Sequence, residues 1–362
     1  MTHLIMGIDV GNSHCVLYAF SEVGEIVLDA EKISTVDEEA WRKLLEDLSA
    51  RFTVRACFEV GPHYEWLYDL LMEYCQDVEV VNPADFALIS RSKKKTDKID
   101  ARKLAEGLHR GDLPLVYVPA KVVRADRRLV SFVHKLSQDL GKLKGQVRAL
   151  LTPHRLRCPS SDVLGLRGRS WLEQEVMEKL NGQEKMFLKM LLDRAELMVA
   201  QRHELDSLLS ERAAKYEGTR YLKTIPGFGP LTTLAVISSI DDISRFEKPG
   251  QLASYFGVCG AIRQSGQTVF QGPMTKRGNA HVRWLLSQAL HHLHRKDPKA
   301  RQRYKRLKRG KSTGVSRGAQ MRWLTEIIWR LLTKRDHYRI KPHPKEDRST
   351  VGLNDEASRK AA

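Results

Sequence analysis

The sequence predicts an α/β domain at the N-terminus and a largely helical remainder. Three observations carry this. Short apolar runs alternate with helix-period segments over the first ninety residues, apolar residues recur at helical spacing in long stretches after Ala125, and Gly/Pro/polar clusters separate these segments.

Leu4 to Val10 is an apolar run that reads as a buried strand, and Gly11-Asn12-Ser13 is turn chemistry. Cys15 to Phe20 is a second strand, and Gly24 precedes a third at Ile26 to Leu28, giving an antiparallel meander. Val36 to Leu48 has helical periodicity, Thr53 to Val60 reads as a strand, and His63 to Cys75 is a helix with Leu67, Leu70 and Leu71 on one side. Val78 to Val81 is another strand, stopped by Asn82-Pro83. Three strands, then helix, strand, helix, strand, helix is the order of the ribonuclease-H-like fold of RuvC-like resolvases and many transposases. That alternation alone fits many α/β domains, so the site residues must decide.

From Ala125 to Leu151 the pattern is helical and basic, Pro153 to Gly168 interrupts it, and Trp171 to Ala214 resumes as long amphipathic helix. This pair reads either as a coiled-coil arm or as a plain helical spacer. Residues 221–290 form a Gly-rich unit, Arg295 to Lys311 is a basic segment, and Gln320 to Thr333 is a final helix. The expected division is an α/β RuvC-like domain over 1–124, a helical coiled-coil connector over 125–215, a mainly α C-terminal domain over 216–340 and a disordered tail over 341–362.

No run of about 18 uncharged apolar residues is present, so no membrane span is expected, and the N-terminus lacks signal-peptide features. Five cysteines without metal-type spacing point to a reducing cytosol, hence a cytoplasmic, nucleoid-associated protein. The net charge of +17 over 362 residues favours a polyanionic partner. Its distribution is uneven. Residues 1–90 hold 17 acids and 5 bases, whereas the remainder holds 27 acids and 56 bases. An acidic block that gathers cations followed by a basic block that gathers phosphates suits metal-dependent cutting of nucleic acid.

Asp9 sits in an apolar strand, where a carboxylate is costly unless paired or bound to a metal. Glu59 ends a second strand that neighbours the first in the fold expected. Thr96 reads as an N-cap, and Ala101, Leu104, Ala105 and Leu108 form the buried stripe of the helix that follows. Asp97 continues that stripe upstream with Asp100 three residues on, so both are expected to point inward and to repel each other without a cation. Mg²⁺, as one ion or a pair about 4 Å apart, is the natural ligand for such carboxylates, with Mn²⁺ as a substitute. Lys93, Lys94 and Lys95 precede the helix as candidate phosphate contacts.

Leu222 to Thr232, with Ile225-Pro226-Gly227-Phe228-Gly229, reads as a helix-hairpin-helix whose Gly227 and Gly229 let backbone amides approach a phosphate, or as a packing unit. Ser265 lies in a glycine-flanked loop near Arg263, followed by Lys276, Arg277, Asn279 and Arg283. Taken alone it is a turn residue, because no activating base accompanies it. Arg295 to Lys311 holds ten bases and one acid, with Arg303, Lys305 and Arg306 as nucleic-acid contacts.

Asp9, Glu59, Lys95-Thr96-Asp97-x-x-Asp100-Ala101, Ile225-Pro226-Gly227-x-Gly229, Ser265-Gly266 and Thr275-Lys276-Arg277-Gly278-Asn279, in this order, resemble the DEDD-type insertion-sequence transposases, a family that includes the pilin-gene invertases. The resemblance covers roughly residues 1–335. Thr275 stands where serine is usual, and Gly260 near a common proline. The resemblance implies that Asp9, Glu59, Asp97 and Asp100 are a metal-binding tetrad and that Ser265 is the nucleophile forming a transient phosphoserine–DNA link. It implies donor and target DNA as partners, and a homodimer or tetramer in which one subunit's tetrad faces another's serine. For some members it also implies a structured non-coding guide RNA. The alternative is a RuvC-like junction resolvase that attacks with water and leaves Ser265 structural.

Overall fold

The computed structural model describes residues 2–89, 96–265 and 268–340. It divides into two compact units, Met1–Pro119 and the chain from Ala120 onward.

In the first unit, β1 (Thr2–Val10), β2 (His14–Ser21) and β3 (Ile26–Ser34) form the expected meander, followed by α1 (Glu38–Arg51), β4 (Phe52–Glu59), α2 (Tyr64–Tyr74), β5 (Asp77–Val81), α3 (Pro83–Ile89) and α4 (Asp97–Arg110). The sheet order is β3-β2-β1-β4-β5, with β1–β2 and β2–β3 antiparallel and β1–β4 and β4–β5 parallel. This agrees with an α/β, ribonuclease-H-like domain. Strand alternation divides the apolar residues between two faces. Leu4, Met6, Ile8, Val54, Ala56 and Phe58 pack with Trp41 and Leu45 of α1 and Leu67 and Leu71 of α2. Ile5 and Cys57 pack with Ala101, Leu104, Ala105 and Leu108 of α4, the stripe read from the sequence. The third strand is longer than the three residues expected, because its polar half, Asp29 to Lys32, still pairs with β2 at the sheet edge.

The second unit begins with α5 (Lys121–Leu151), which packs antiparallel against α7 (Gly182–Ala214). Val130 and Val133 share a core with Leu209 and Ala213, while Val147 and Leu151 share another with Leu188 and Ala195. The expected single helix from Trp171 to Ala214 is instead broken. α6 (Leu166–Trp171) passes through a π turn (Leu172–Val176) and a 3₁₀ turn (Met177–Lys179) before α7 restarts. The restart is a capping box: Asn181 accepts from the Glu184 amide, and the Glu184 carboxylate accepts from the Asn181 amide, both at 3.0 Å.

α8 (Thr219–Leu222) and α9 (Pro230–Ile240) follow. α9 is buried from Thr232 through Ile240, and the buried hydroxyls of Thr233 and Ser238 donate to the carbonyls of Phe228 and Leu234. Its last carbonyls are met by side chains: Arg127 donates to Ser238 and Ser239, Tyr255 to Ser239, and Arg245 to Ile240. α10 (Pro249–Tyr255), the hairpin β6 (Gly260–Ser265) and β7 (Thr268–Met274), α11 (Ala280–Lys296), α12 (Pro298–Gly310) and α13 (Thr313–Lys334) complete the unit. α13 starts before the Gln320 expected, since Ser312 caps it and Gly314 and Gly318 are carried inside the helix. The expected tail over 341–362 lies outside the described residues.

Candidate active site and nucleic-acid interface

Asp9 and Glu59 stand at the C-terminal ends of neighbouring parallel strands. The ladder runs from Thr2↔Phe52 to Ile8↔Phe58, so these two acids occupy the next matched step. Alternation from Ile5 and Cys57 puts both on the face that α4 covers. α4 runs antiparallel to β1: His109 packs on Phe20, which pairs with Ile5, and Arg102 lies over Tyr18, which pairs with Gly7. Its N-terminus therefore lies toward the Asp9 end of the strand. Thr96 caps the helix, accepting from the Ile99 amide at 3.4 Å, and Asp100 donates its own amide to the Thr96 carbonyl.

Asp100 is partly buried, with a side chain 20% exposed and 3.9 Å from Lys103. Asp97 is exposed, contrary to the inward orientation expected. The reason is geometric, since the first turn of α4 precedes Ala101, the first stripe residue that packs on the sheet. Lys98 pairs with Asp29 at 2.7 Å. Burial first, and then the charge of Asp9, pushes the Cys15 thiol up to about 12. Among the described residues no three His, Cys, Asp or Glu side chains converge closely enough to hold an ion together. The donor set is nonetheless all carboxylate oxygen, the chemistry a hard divalent cation takes, with Asp9 and Glu59 at one end of the sheet and Asp97 and Asp100 in the first turn of the helix packed on it. Lys93, Lys94 and Lys95 lie outside the described residues.

Ser265 belongs to the second unit. Rather than lying in a loop, it ends β6, with its backbone paired to Thr268, and Arg263 pairs with Phe270. The hairpin leads into a segment pressed against the end of α10. Gly257 (φ +67°) and Gly278 (φ +93°) need their glycines twice over. An added Cβ would sit 1.8 Å from the Arg277 carbonyl oxygen in one case and 2.1 Å from that of Tyr255 in the other. Arg283 donates to the carbonyls of Phe256, Arg277 and Gly278, so its guanidinium braces this segment, and burial lowers its pKa. Asn279 caps α11, accepting from His281 and Val282. Lys276 and Arg277 are exposed beside it.

Gly227 and Gly229 lie in the turn between α8 and α9. At Gly227 (φ +95°) a Cβ would meet the Ala289 backbone at 2.9 Å, so this glycine lets α11 pack closely. Gly229, the N-cap of α9, has open space before it. It borders an open groove with Lys223, Gln288 and His292.

Arg303, Lys305 and Arg306 fall on α12, whose Asp297 cap accepts from the Lys299 and Ala300 amides. They border a groove with Trp323 of α13. Sequence reasoning missed Trp323, which is indistinguishable there from the core residues of its amphipathic helix. It also missed the stack of His134 on His281, 3.7 Å between ring centroids, whose members are far apart in the chain.

The comparisons with known proteins agree across both units. Residues 6–155 match a transposase family of DEDD, IS110 type, and residues 219–305 match the family described as Transposase IS116/IS110/IS902. The chain is 28% identical over 246 residues to the y4qE protein of Sinorhizobium fredii, assigned as a transposase. That alignment covers 68% of this chain and 60% of the relative. It is 25% identical over 358 residues to the transposase for insertion sequence element IS1111A of Coxiella burnetii, covering 92% and 91% of the two chains. It is 24% identical to the insertion element IS116 44.8 kDa protein of Streptomyces clavuligerus over 78% of this chain and 82% of that one.

Proposed function

We propose, from the premise that this chain belongs to the DEDD-type insertion-sequence transposases, that it cuts and rejoins the DNA of a mobile element. The observation that carries the reading is the matched position of Asp9 and Glu59 at the ends of paired strands, under the start of α4. Asp9, Glu59, Asp97 and Asp100 would hold the divalent ion, Mg²⁺ by the hardness of their oxygens. When bound, such an ion supplies charge stabilisation at the attacking and departing oxygens.

The Ser265 hydroxyl gives up its proton and its oxygen attacks the phosphorus of the scissile phosphodiester. A phosphoserine bond forms, the bond from phosphorus to the adjoining nucleotide's oxygen breaks, and that oxygen leaves as a hydroxyl after taking a proton. Attack by a hydroxyl of the second DNA reverses the step, rejoining the strand and restoring the serine. A composite site, in which the tetrad of one subunit of a dimer or tetramer faces Ser265 of another, belongs to this proposal. A structured guide RNA, as in some relatives, is part of the same proposal. Lys276, Arg277, Lys305 and Arg306 would contact backbone phosphates, with Arg303 part of the same nucleic-acid contact.

The test is an adduct assay. The chain is incubated with element-end DNA and Mg²⁺ and resolved on a denaturing gel. A protein–DNA adduct that disappears in Ser265→Ala and Asp9→Asn, with DNA binding retained, is expected. An undiminished adduct in Ser265→Ala would remove the serine from the mechanism. Cleavage without any adduct would favour water attack.

A further inference from the structure

One face of α12 is charged where it turns toward a neighbouring helix. Lys299, Gln302, Arg303, Arg306 and Arg309 recur at i, i+3, i+4, i+7 and i+10, so they share one side of the helix, and with Trp323 of α13 they line a groove of about 490 Å³. Ala300, on the other side, is buried, and Tyr304 stacks on His294 of α11. The cationic face is therefore held in place by packing behind it.

Two features of the groove are unfavourable as they stand. Among the described residues, Lys299, Arg303, Lys305, Arg306 and Arg309 form no ion pair, although five like charges lie within three turns. Arg303 lies with Cζ 5.4 Å from the centre of the Trp323 ring, and its Nε is buried without an acceptor. A buried donor with no partner costs about 1–3 kcal/mol. Lys299, Lys305, Arg306 and Arg309 are exposed, so the feature that a solvated face would not show is the buried Nε of Arg303.

We infer that this groove binds an unpaired nucleotide within a single-stranded stretch of nucleic acid, its base stacking on the Arg303–Trp323 shelf and its flanking phosphates meeting Lys299, Arg306 and Arg309. The chemistry selects this ligand on three counts. Phosphodiester oxygens supply the missing acceptors and counter-charge together. The cationic face from Lys299 to Arg309 is roughly 15 Å long, more than one phosphate group spans, so a strand fits it better than an isolated anion. An aromatic ring capped by a guanidinium offers a stacking surface, which only an unpaired base can use, since bases in a duplex are already stacked on one another. The volume lies within the roughly 300–1,000 Å³ of small-ligand sites. The inference rests on the nucleic-acid reading of the chain and narrows it to one strand form and one new residue, Trp323.

Fluorescence anisotropy of the full chain with a labelled 12-nucleotide pyrimidine DNA strand, the RNA of the same sequence and the matching duplex tests it. Trp323→Ala is expected to weaken single-strand binding about tenfold, in line with the ~1–3 kcal/mol carried by one stacked base, and to change duplex binding less than about twofold. Trp323→Phe, which keeps a ring face and the packing of α13, is expected to retain most of the affinity. Arg306→Gln with Arg309→Gln should flatten the salt dependence for the single strand by about 1.4 in the log–log slope. The tighter of the DNA and RNA strands identifies the source of the unpaired nucleotide. Equal loss for strand and duplex in Trp323→Ala, or single-strand binding unaffected by all three changes, overturns the inference and leaves the wider reading intact. A wild-type chain that binds neither strand nor duplex overturns both.

Discussion

Gly7 lies directly beneath Ala101: a Cβ at position 7 would stand 2.2 Å from the Ala101 carbonyl oxygen and 2.4 Å from the Ala105 amide nitrogen. The obstructing atoms are helix backbone, which cannot step aside as a side chain can. This contact sets how near the start of α4, with Asp97 and Asp100, comes to the strand that carries Asp9.

Gly7→Ala should therefore act on stability and on the acids together. Lifting α4 from the sheet is expected to cost about 1–3 kcal/mol, the usual range for overpacking. Circular dichroism melts and the adduct assay check this, with a lower Tm and loss of the adduct expected. An alanine variant with wild-type melting would show that the helix does not press on β1.

Asp126, 1% exposed, accepts from Arg212 at 2.6 and 3.1 Å and from the Tyr216 hydroxyl at 2.6 Å. Burial, then the hydrogen bond to Asp126, raises the Tyr216 phenol. Asp126→Ala leaves a guanidinium and a phenol without their acceptor and is expected to cost about 3–5 kcal/mol. Urea unfolding measures it. Asp126→Ala combined with Arg212→Met should recover part of the loss, and a combination as costly as the two changes added would show that the groups are not coupled.

Stability is expected to fall with acidification below pH 6.5. Burial, then the neighbouring His134, lowers His281 to about 4, and burial lowers His134 and His294 as well. The folded chain thus binds fewer protons than the unfolded chain between about pH 4 and 6.5, so unfolding free energy rises with pH in that window and is lost as pH falls through it. Denaturant midpoints at pH 7.5, 6.0 and 5.0 test this. His281→Phe, which keeps a ring in the stack, should show a shallower slope, and an unchanged slope would exclude His281 as a source.

The first unit was largely legible because its signals are local. Buried strands read as apolar runs, and the α4 stripe of Ala101, Leu104, Ala105 and Leu108 reads at helical spacing. The exposure of Asp97 was not legible, since periodicity assigns a helix face but does not say where the supporting sheet ends. The interruption of the second connector helix was missed because Leu172 to Lys179 has ordinary helical composition, and only the Asn181–Glu184 capping box marks the restart. The β6–β7 hairpin is short and follows a glycine-rich stretch that reads as loop. Trp323 gains its meaning only from Arg303, twenty residues earlier and on another helix.

The antiparallel packing of α5 on α7 bears on how the chain tolerates insertions. With its root fixed by Asp126–Arg212 and its far end tied by His154–Glu184 at 2.8 Å, the 31-residue α5 is a shaft roughly 45 Å long whose apolar seam must keep phase along its whole length. One inserted residue turns everything beyond it by about 100° and swings Val147 and Leu151 out of the seam. Seven residues added to each partner make almost two full turns and return the seam to register. Length change in this arm is thus quantised, with extension in steps of about seven permitted and single-residue steps excluded.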